Sequence, residues 1–162
     1  MMISITISAL IFTAVAYLGF YNARSLAALT NYVDLDRNSR HALDILSRDI
    51  RQADKLASFT TSELIFNTGG GTNNLRFLYS TNGEFVRIEG TTREVLLDKC
   101  DEMVMTVYGR NTISNNFGQF PTTNAANAKL LKFNWTCSRT ILGARVNTES
   151  VQSAKIVIRK QN

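Results

Sequence analysis

The feature that most constrains this chain is an uncharged apolar run at its beginning. Residues 1–23 read MMISITISALIFTAVAYLGFYNA, and the first charged residue is Arg24. A helix rises about 1.5 Å per residue, so this run would be about 35 Å long as a helix, which is enough to cross a hydrocarbon core of about 30 Å. The run therefore predicts an apolar stalk, residues 1–23, that lies either in a membrane or in the core of a helical assembly.

Small residues are frequent in the stalk. They let helices approach one another closely where no water is present. A lone anchor helix gains nothing from such residues, whereas a helix packed among other helices does. An ordinary membrane anchor of relaxed composition is the alternative. The candidates for packing in a helix core are Ser4, Ser8, Ala9, Ala16 and Gly19.

The stalk does not have the form of a cleaved secretory signal, which has a positive region, a short apolar core and a small-residue cleavage site. No Lys or Arg precedes the run, the run is longer than a typical signal core, and no A-x-A site ends it. An uncleaved anchor fits better. Because flanking Lys and Arg set the orientation of an inserted helix, their absence suggests that the natural protein has residues ahead of Met1.

The helical pattern continues past the stalk without a break. Residues 24–55 carry apolar side chains at steps of three and four, and acid-before-base pairs such as Asp36 with Arg40 occupy the other side. The pattern predicts one helix over residues 2–54, about 80 Å long at about 1.5 Å per residue. Its second half, residues 24–55, is amphipathic and is expected to pack on a domain.

After Ser58 the pattern changes to a period of two, which is typical of strands. Short strands joined by tight turns, such as Asn82-Gly83, predict a mostly antiparallel β-sheet packed on the single helix, and hence an α+β fold with a head domain over residues 56–162. Residues 109–128 are rich in Asn, Thr and Gly and are expected to form a long flexible or functional loop. The predicted strands are 63–67, 74–80, 84–89, 93–97, 102–108, 129–137 and 154–159.

The chain has two cysteines, Cys100 and Cys137, and both lie in strand-like stretches. If this part of the chain lies outside the cytoplasm, a single disulfide between them is the default. Such a bond requires that the two Cα atoms lie within about 7 Å of each other.

The disulfide also predicts a strand register. If the two cysteines face each other in an antiparallel pair, Val104 lies opposite Phe133 and Val107 lies opposite Leu130, so that apolar residues meet apolar residues. The disulfide would then close the base of a hairpin whose tip is the 109–128 loop.

Charge is distributed unevenly along the chain, whose formal net charge is +5. Residues 56–108 contain four basic and seven acidic residues, whereas residues 109–162 contain eight basic residues and one acid. One interpretation is solubility together with attraction between oppositely charged faces of neighbouring copies. The other is a polyanion-binding patch, whose candidates are Arg110, Lys129, Lys132, Arg139 and Arg145.

The sequence contains no recognisable catalytic or metal-binding motif. The TGGGTN segment at 68–73 lacks the GK[ST] ending of a P-loop, and no helical pattern follows it. His41 is the only histidine, and no cluster of His, Cys, Asp and Glu with ligand spacing accompanies it. The Asn134-Trp135-Thr136 sequon lies in a predicted strand. We therefore expect no enzyme activity, no cofactor and no metal.

Three stretches of the chain resemble a known group of proteins. The stalk, MMISITISALIFTAVAYLGFYNA, resembles the N-terminal helix of type IV pilins and of type II secretion pseudopilins. RNSRHALDILSRDIRQADKLASFTTSELIFNT resembles the passage from helix to head domain in minor pilins and J-type pseudopilins, and VQSAKIVIRKQN resembles their closing strand. Together the three stretches cover about half of the chain.

The family's signature is a short basic leader, a glycine cleavage site, and then Phe-Thr-Leu and a glutamate. None of these precedes the stalk here, and Met1-Met2-Ile3 resembles the residues that directly follow that glutamate. We therefore expect that the sequence begins a few residues inside the mature chain. Leader processing and N-methylation are implied for the natural protein only.

The resemblance implies a pilin-like fold and a structural subunit of an extracytoplasmic filament. The subunit would sit in the inner membrane of a bacterial cell as a single-pass protein, and then join a periplasmic or extracellular filament with copies of itself and other pilins. Implied partners are an assembly ATPase, an inner-membrane assembly platform and a prepilin peptidase. The alternative is a minor tip pilin that binds DNA or a surface through the basic C-terminal third.

Overall fold

A computed structural model describes residues 2–70, 74–109, 118–141 and 149–159. One helix, α1, spans Met2–Gln52, so the predicted single helix is confirmed and ends two residues earlier than expected. Its end has a local cause. The Ala53 N–H still donates to the Asp49 carbonyl at 2.9 Å, but the Asp54 N–H donates to the Asn67 carbonyl at 2.8 Å, which turns the backbone into the first strand.

Five antiparallel strands follow the helix in sequence order and form one sheet. The meander predicted from the alternating pattern is present here, but β1 is not predicted, because KLASF follows the helix directly and its apolar residues also continue the helical pattern. The strands are β1 (Lys55–Phe59), β2 (Glu63–Asn67), β3 (Leu75–Tyr79), β4 (Phe85–Glu89) and β5 (Thr92–Leu97).

The remaining strands form a second, four-stranded antiparallel sheet in the order β7-β6-β8-β9, so the expectation of one sheet is wrong. Part of the predicted 109–128 loop is ordered structure, since it holds β7 and a 3₁₀ helix at Ala125–Asn127; residues 110–117 of that loop lie outside the described residues. The strands are β6 (Cys100–Gly109), β7 (Phe120–Pro121), β8 (Ala128–Ser138) and β9 (Glu149–Val157).

The Asn82-Gly83 turn joins β3 to β4 and also contacts the start of the second sheet. Gly83 has a φ of +75°, and a Cβ at this position would lie 2.7 Å from the Cys100 carbonyl oxygen. The Gly83 carbonyl accepts a hydrogen bond from the Cys100 N–H at 2.8 Å. Glycine is therefore required both by the backbone conformation and by the close approach of β6.

The predicted disulfide between Cys100 and Cys137 is present, with a Cα separation of 4.0 Å. The register predicted from it is wrong by one residue, because the pairing of β6 with β8 shifts between Cys100 and Glu102. Beyond that irregularity Val104 lies opposite Asn134, and Val107 lies opposite Leu131. An extra residue at a β-bulge moves every later pair along the partner strand.

The core lies between α1 and the inner faces of the two sheets. The helix contributes a stripe that includes Leu35, Ala42, Leu46 and Ile50. The first sheet contributes an aromatic row in which Phe66 meets Phe77 edge-on at 6.1 Å and Phe77 stacks on Phe85 at 6.0 Å between ring centroids. The second sheet contributes residues that alternate along its strands, among them Met103, Val107, Leu131, Phe133, Trp135 and Ile156.

Candidate assembly surface

The stalk makes no contact with the rest of the described chain that would bury it. Its large apolar side chains are exposed from Ile3 to Tyr21, and Phe12 reaches 80% exposure. The five candidate packing residues are exposed as well, and a Cβ built on Gly19 would meet nothing within 4 Å. The helix therefore presents an apolar surface with small residues on it, and the head covers none of that surface.

Several hydroxyl side chains of the stalk are satisfied within the helix. Ser8 donates to the Ser4 carbonyl at 2.8 Å, and Thr13 donates to the Ala9 carbonyl at 2.7 Å. Hydroxyls that bond the preceding turn need no water. The stalk can therefore be buried in lipid or against other helices without leaving these groups unpaired.

An exposed apolar stripe continues beyond the first charged residue of the helix. Leu26, Leu29 and Val33 are 64%, 60% and 57% exposed. Nine residues make about two and a half helical turns, so Leu26 and Val33 lie on the side opposite Leu35 and Ala42, which are buried against the head. We call these three residues the outward stripe. The described part of the head does not cover it.

The length of this exposed apolar surface exceeds the thickness of a membrane's hydrocarbon core. From Ile3 to Val33 the helix rises about 45 Å, whereas the hydrocarbon core of a membrane is about 30 Å thick. The helix is long and apolar enough to cross a membrane, by length and composition. A membrane that covers the stalk would nevertheless leave the outward stripe outside its hydrocarbon core.

Two polar contacts hold the second half of α1 on the head. The indole N–H of Trp135 in β8 donates to the hydroxyl of Ser39 at 3.2 Å, and both residues are buried. On the first sheet, Arg87 of β4 binds the Asp49 carboxylate at 2.5 Å, with side-chain exposures of 11% and 6%. The outward stripe is thus held at a defined orientation to both sheets.

The Asp49–Arg87 pair belongs to a small network of charges. Arg48 binds the other Asp49 oxygen at 2.9 Å, Arg87 also binds Glu89, and Glu94 lies 3.8 Å from Arg87. Burial lowers the pKa of Arg87, but hydrogen bonds to Asp49 and Glu89 outweigh this effect and raise it above its ordinary value. The sequence signal for this network is a carboxylate, Asp49, on the helix face that otherwise carries Leu46 and Ala53.

The candidate polyanion patch is only partly within the described residues, since Arg110 and Arg145 lie outside them. Arg139 donates to the Asp98 carboxylate at 2.6 Å and to the Asp98 carbonyl at 3.1 Å, and Asp34 lies 4.0 Å away. Its guanidinium is therefore already neutralised. Lys132 lies on the outer face of the second sheet, while Lys129 is half-buried near its far end.

The residues that were examined as possible catalytic, metal or modification sites lie in separate parts of the structure. Within the part of the chain that the structure describes, no group of three or more His, Cys, Asp and Glu could hold a metal ion. His41 is exposed on α1. Gly69 and Gly70 have positive φ in a turn, and residues 71–73 of the glycine-rich segment lie outside the described ranges. Asn134 of the sequon is half-buried in β8.

The surface that stands out is therefore the exposed apolar helix, with a folded head at its end. Comparison with family models, curated proteins and solved structures found no match to this chain.

Proposed function

We propose that this protein is a structural subunit of an extracytoplasmic filament, of the type IV pilus or pseudopilus kind, that assembles through its apolar helix. The observation that carries the proposal is the exposed apolar surface from Ile3 to Val33, which is longer than the hydrocarbon core of a bilayer. In this role the stalk sits in the inner membrane before assembly. It then leaves the lipid and packs against the stalks of other copies.

The outward stripe supports packing between copies rather than simple anchoring. Burying a Leu or Val side chain contributes about 1.5–3 kcal/mol, so three such residues left in water represent a substantial driving force for association. A second copy carries the same stripe above its own stalk. The small residues of the stalk, such as Ala9 and Gly19, allow the axes of neighbouring helices to approach closely in the part of the helix that precedes the stripe.

Other features agree with a location outside the cytoplasm. The Cys100–Cys137 disulfide is of the kind that persists in oxidising compartments. The buried contacts of Asp49 and Ser39 fix the helix on the head, so the head would be carried at the filament surface. In this proposal the partners are other pilins, an inner-membrane assembly platform with its ATPase, and a prepilin peptidase.

A charge placed on the outward stripe tests the proposal. We expect that Leu29→Asp in the full chain, produced in its natural host, reduces chemically cross-linked multimers at least tenfold, because each copy would bury a carboxylate in the helix contact. The matched control is Ala27→Asp. Ala27 is exposed, lies two residues away, and points about 160° away from the stripe residue. We expect it to behave as the unmodified chain does.

Membrane insertion should be the same for both variants, because both positions follow Arg24. Equal amounts of multimer from Leu29→Asp and Ala27→Asp would contradict assembly through the helix.

A further inference from the structure

The outer face of the second sheet carries two lysines directly opposite each other. Lys132 of β8 pairs in register with Lys155 of β9. The inner neighbours Leu131, Phe133 and Ile156 are buried, so the two lysines point to the other side, where Lys155 is exposed and Lys132 half-buried. Side chains opposite each other on antiparallel strands have Cβ atoms about 4.5–5.5 Å apart, and like charges in such a pair repel.

No acid in the described part of the sheet compensates this repulsion nearby. The third residue at the same level is Thr106 on β6. The next outward residues along β8 are Leu130 and Asn134, and those along β9 are Ser153 and Val157. Within the described ranges, neither lysine forms an ion pair. As far as the chain is described, the pair thus keeps its positive charge without a compensating acid.

An exposed acid lies at the other end of the same outer face. Glu102 of β6 pairs with Thr136, four residues along β8 from Lys132. At about 3.4 Å per residue, this separates Glu102 from the lysine level by about 14 Å along the strands. The face is therefore negative at one end and positive at the other, with Val104 exposed between them.

The direction of this charge separation follows the long axis of the molecule. The end of β8 at Trp135 lies beside Ser39, toward the stalk, as the 3.2 Å hydrogen bond requires. The beginning of β8 follows the 3₁₀ helix, which packs beside β1, and β1 begins where α1 ends. β8 therefore runs opposite to α1. Glu102 lies toward the stalk, and Lys132 and Lys155 lie away from it.

We propose that this outer face is a head-to-tail contact between copies of the chain, in which Glu102 of one copy lies against Lys132 and Lys155 of the next. Copies with parallel stalks, displaced along a common axis, bring the stalk-side end of one head next to the far end of its neighbour. Such a heterologous contact repeats without closing and generates a filament. The inference rests on the proposed function and specifies a head surface for it.

Zero-length cross-linking with a carbodiimide tests the contact, because this reagent joins a carboxylate to an amine only where the two touch. Within one copy the two ends of the face are too far apart to react. In full-length protein from mixed isotope-labelled and unlabelled cells, we expect peptides that join Glu102 of one copy to Lys132 or Lys155 of another. Multimers that contain no such link would overturn the head contact and leave assembly through the helix standing. Absence of any multimer would count against both.

Substitutions of the two lysines test their contribution to the contact. We expect Lys132→Gln with Lys155→Gln to abolish the cross-link and to lower multimer yield about two- to fivefold, as for exposed ion pairs. The control is Lys55→Gln, an exposed lysine on the first sheet, which should have no effect.

Charge reversal tests the same pairing. Lys132→Glu with Lys155→Glu should lower the multimer yield further, and adding Glu102→Lys should restore it. Failure of that restoration would overturn the pairing. Salt-sensitive retention of the chain on DNA that depends on the two lysines, without the cross-link, would instead assign them to a nucleic acid.

Discussion

The indole N–H of Trp135 donates a hydrogen bond to the hydroxyl of Ser39 across 96 residues of sequence, at 3.2 Å in the buried interior. This bond fixes α1 on the second sheet, while the Asp49–Arg87 pair fixes it on the first. The two contacts involve helix residues ten positions apart, both on the side of α1 that packs on the head. The outward stripe lies on the opposite side of the helix. The polar interior of the head thus determines which apolar residues of the helix are left for other copies.

Replacing Ser39 by Ala leaves the Trp135 N–H without its partner in a buried site. We expect a loss of about 1–3 kcal/mol in the free energy of unfolding, because an unpaired buried donor keeps its desolvation cost. Denaturant unfolding of the full chain in detergent, followed by fluorescence of the single tryptophan, measures it. Ser47→Ala on the same helix should change stability by less than about 0.5 kcal/mol. Equal effects of the two substitutions would show that the bond contributes nothing.

Replacing Asp49 by Ala leaves Arg87 buried, with Glu89 and Glu94 as its remaining ion-pair partners among the described residues. Removing one partner of a buried ion pair typically costs about 3–5 kcal/mol, and we expect the lower end because the two glutamates remain. The same unfolding experiment measures the loss. Asp44→Ala, at an exposed position one turn earlier, is the matched control and should be nearly neutral. A destabilisation below about 1 kcal/mol for Asp49→Ala would contradict the role of the pair as a clamp.

The disulfide joins residues separated by 37 positions. Closing a loop of this length stabilises a folded chain by about 4 kcal/mol in the chain-entropy account. We therefore expect reduced protein, and a Cys100→Ser, Cys137→Ser double variant, to unfold at clearly lower denaturant concentrations than the oxidised protein. The double variant should be insensitive to reductant. Coincident unfolding curves for oxidised and reduced protein would show that the bond does not stabilise the head.

The Tyr79 phenol donates to the Cys100 carbonyl at 3.0 Å. Burial, together with the charges of Asp101 and Glu102, raises the pKa of Tyr79 above its ordinary value of 10.0. The folded chain thus holds this proton more tightly than the unfolded chain does. The stability that it contributes is present below about pH 10 and is lost as the pH rises through the raised pKa.

Tyr79→Phe should therefore lose stability at neutral pH and show a weaker decline above pH 10 than the unmodified chain. Ultraviolet difference absorbance follows the phenol directly, and the unfolding experiment at several pH values follows the stability. Tyr108→Phe serves as the comparison. If Tyr79→Phe and the unmodified chain declined in parallel above pH 10, the proton linkage would be absent.

The helix and most strands follow from periodicity, but the division into two sheets does not. Alternation places Leu131, Phe133 and Trp135 on one face of β8, and all three residues are buried. It does not identify which strands pair. The shift between Cys100 and Glu102 likewise leaves no trace in the apolar pattern, because Val104 and Val107 are apolar in either register. The backbone pairing and the exposure of Val104 show that this residue faces outward.

Of the candidate surfaces, one can be recognised from the sequence and two need the structure. The apolar run of the stalk is visible in the sequence, because length and absence of charge define it. The outward stripe cannot be recognised in the sequence. Leu26 and Val33 belong to the same run of apolar residues as Leu35 and Ala42, and only the position of the head separates the exposed residues from the buried ones. The Lys132–Lys155 pair depends on residues 23 positions apart being placed opposite each other by the sheet register, which composition cannot reveal.

In the filament that we propose, the apolar helix holds copies of this chain together. The most direct measurement is electron microscopy of material sheared from producing cells, with the chain identified in the filaments by specific labelling. We predict that the chain is present along or within sheared filaments, and that Leu29→Asp removes it from them while its head still folds. A chain that remains wholly in the membrane fraction as single copies, with its head folded and its disulfide formed, would contradict assembly through the helix.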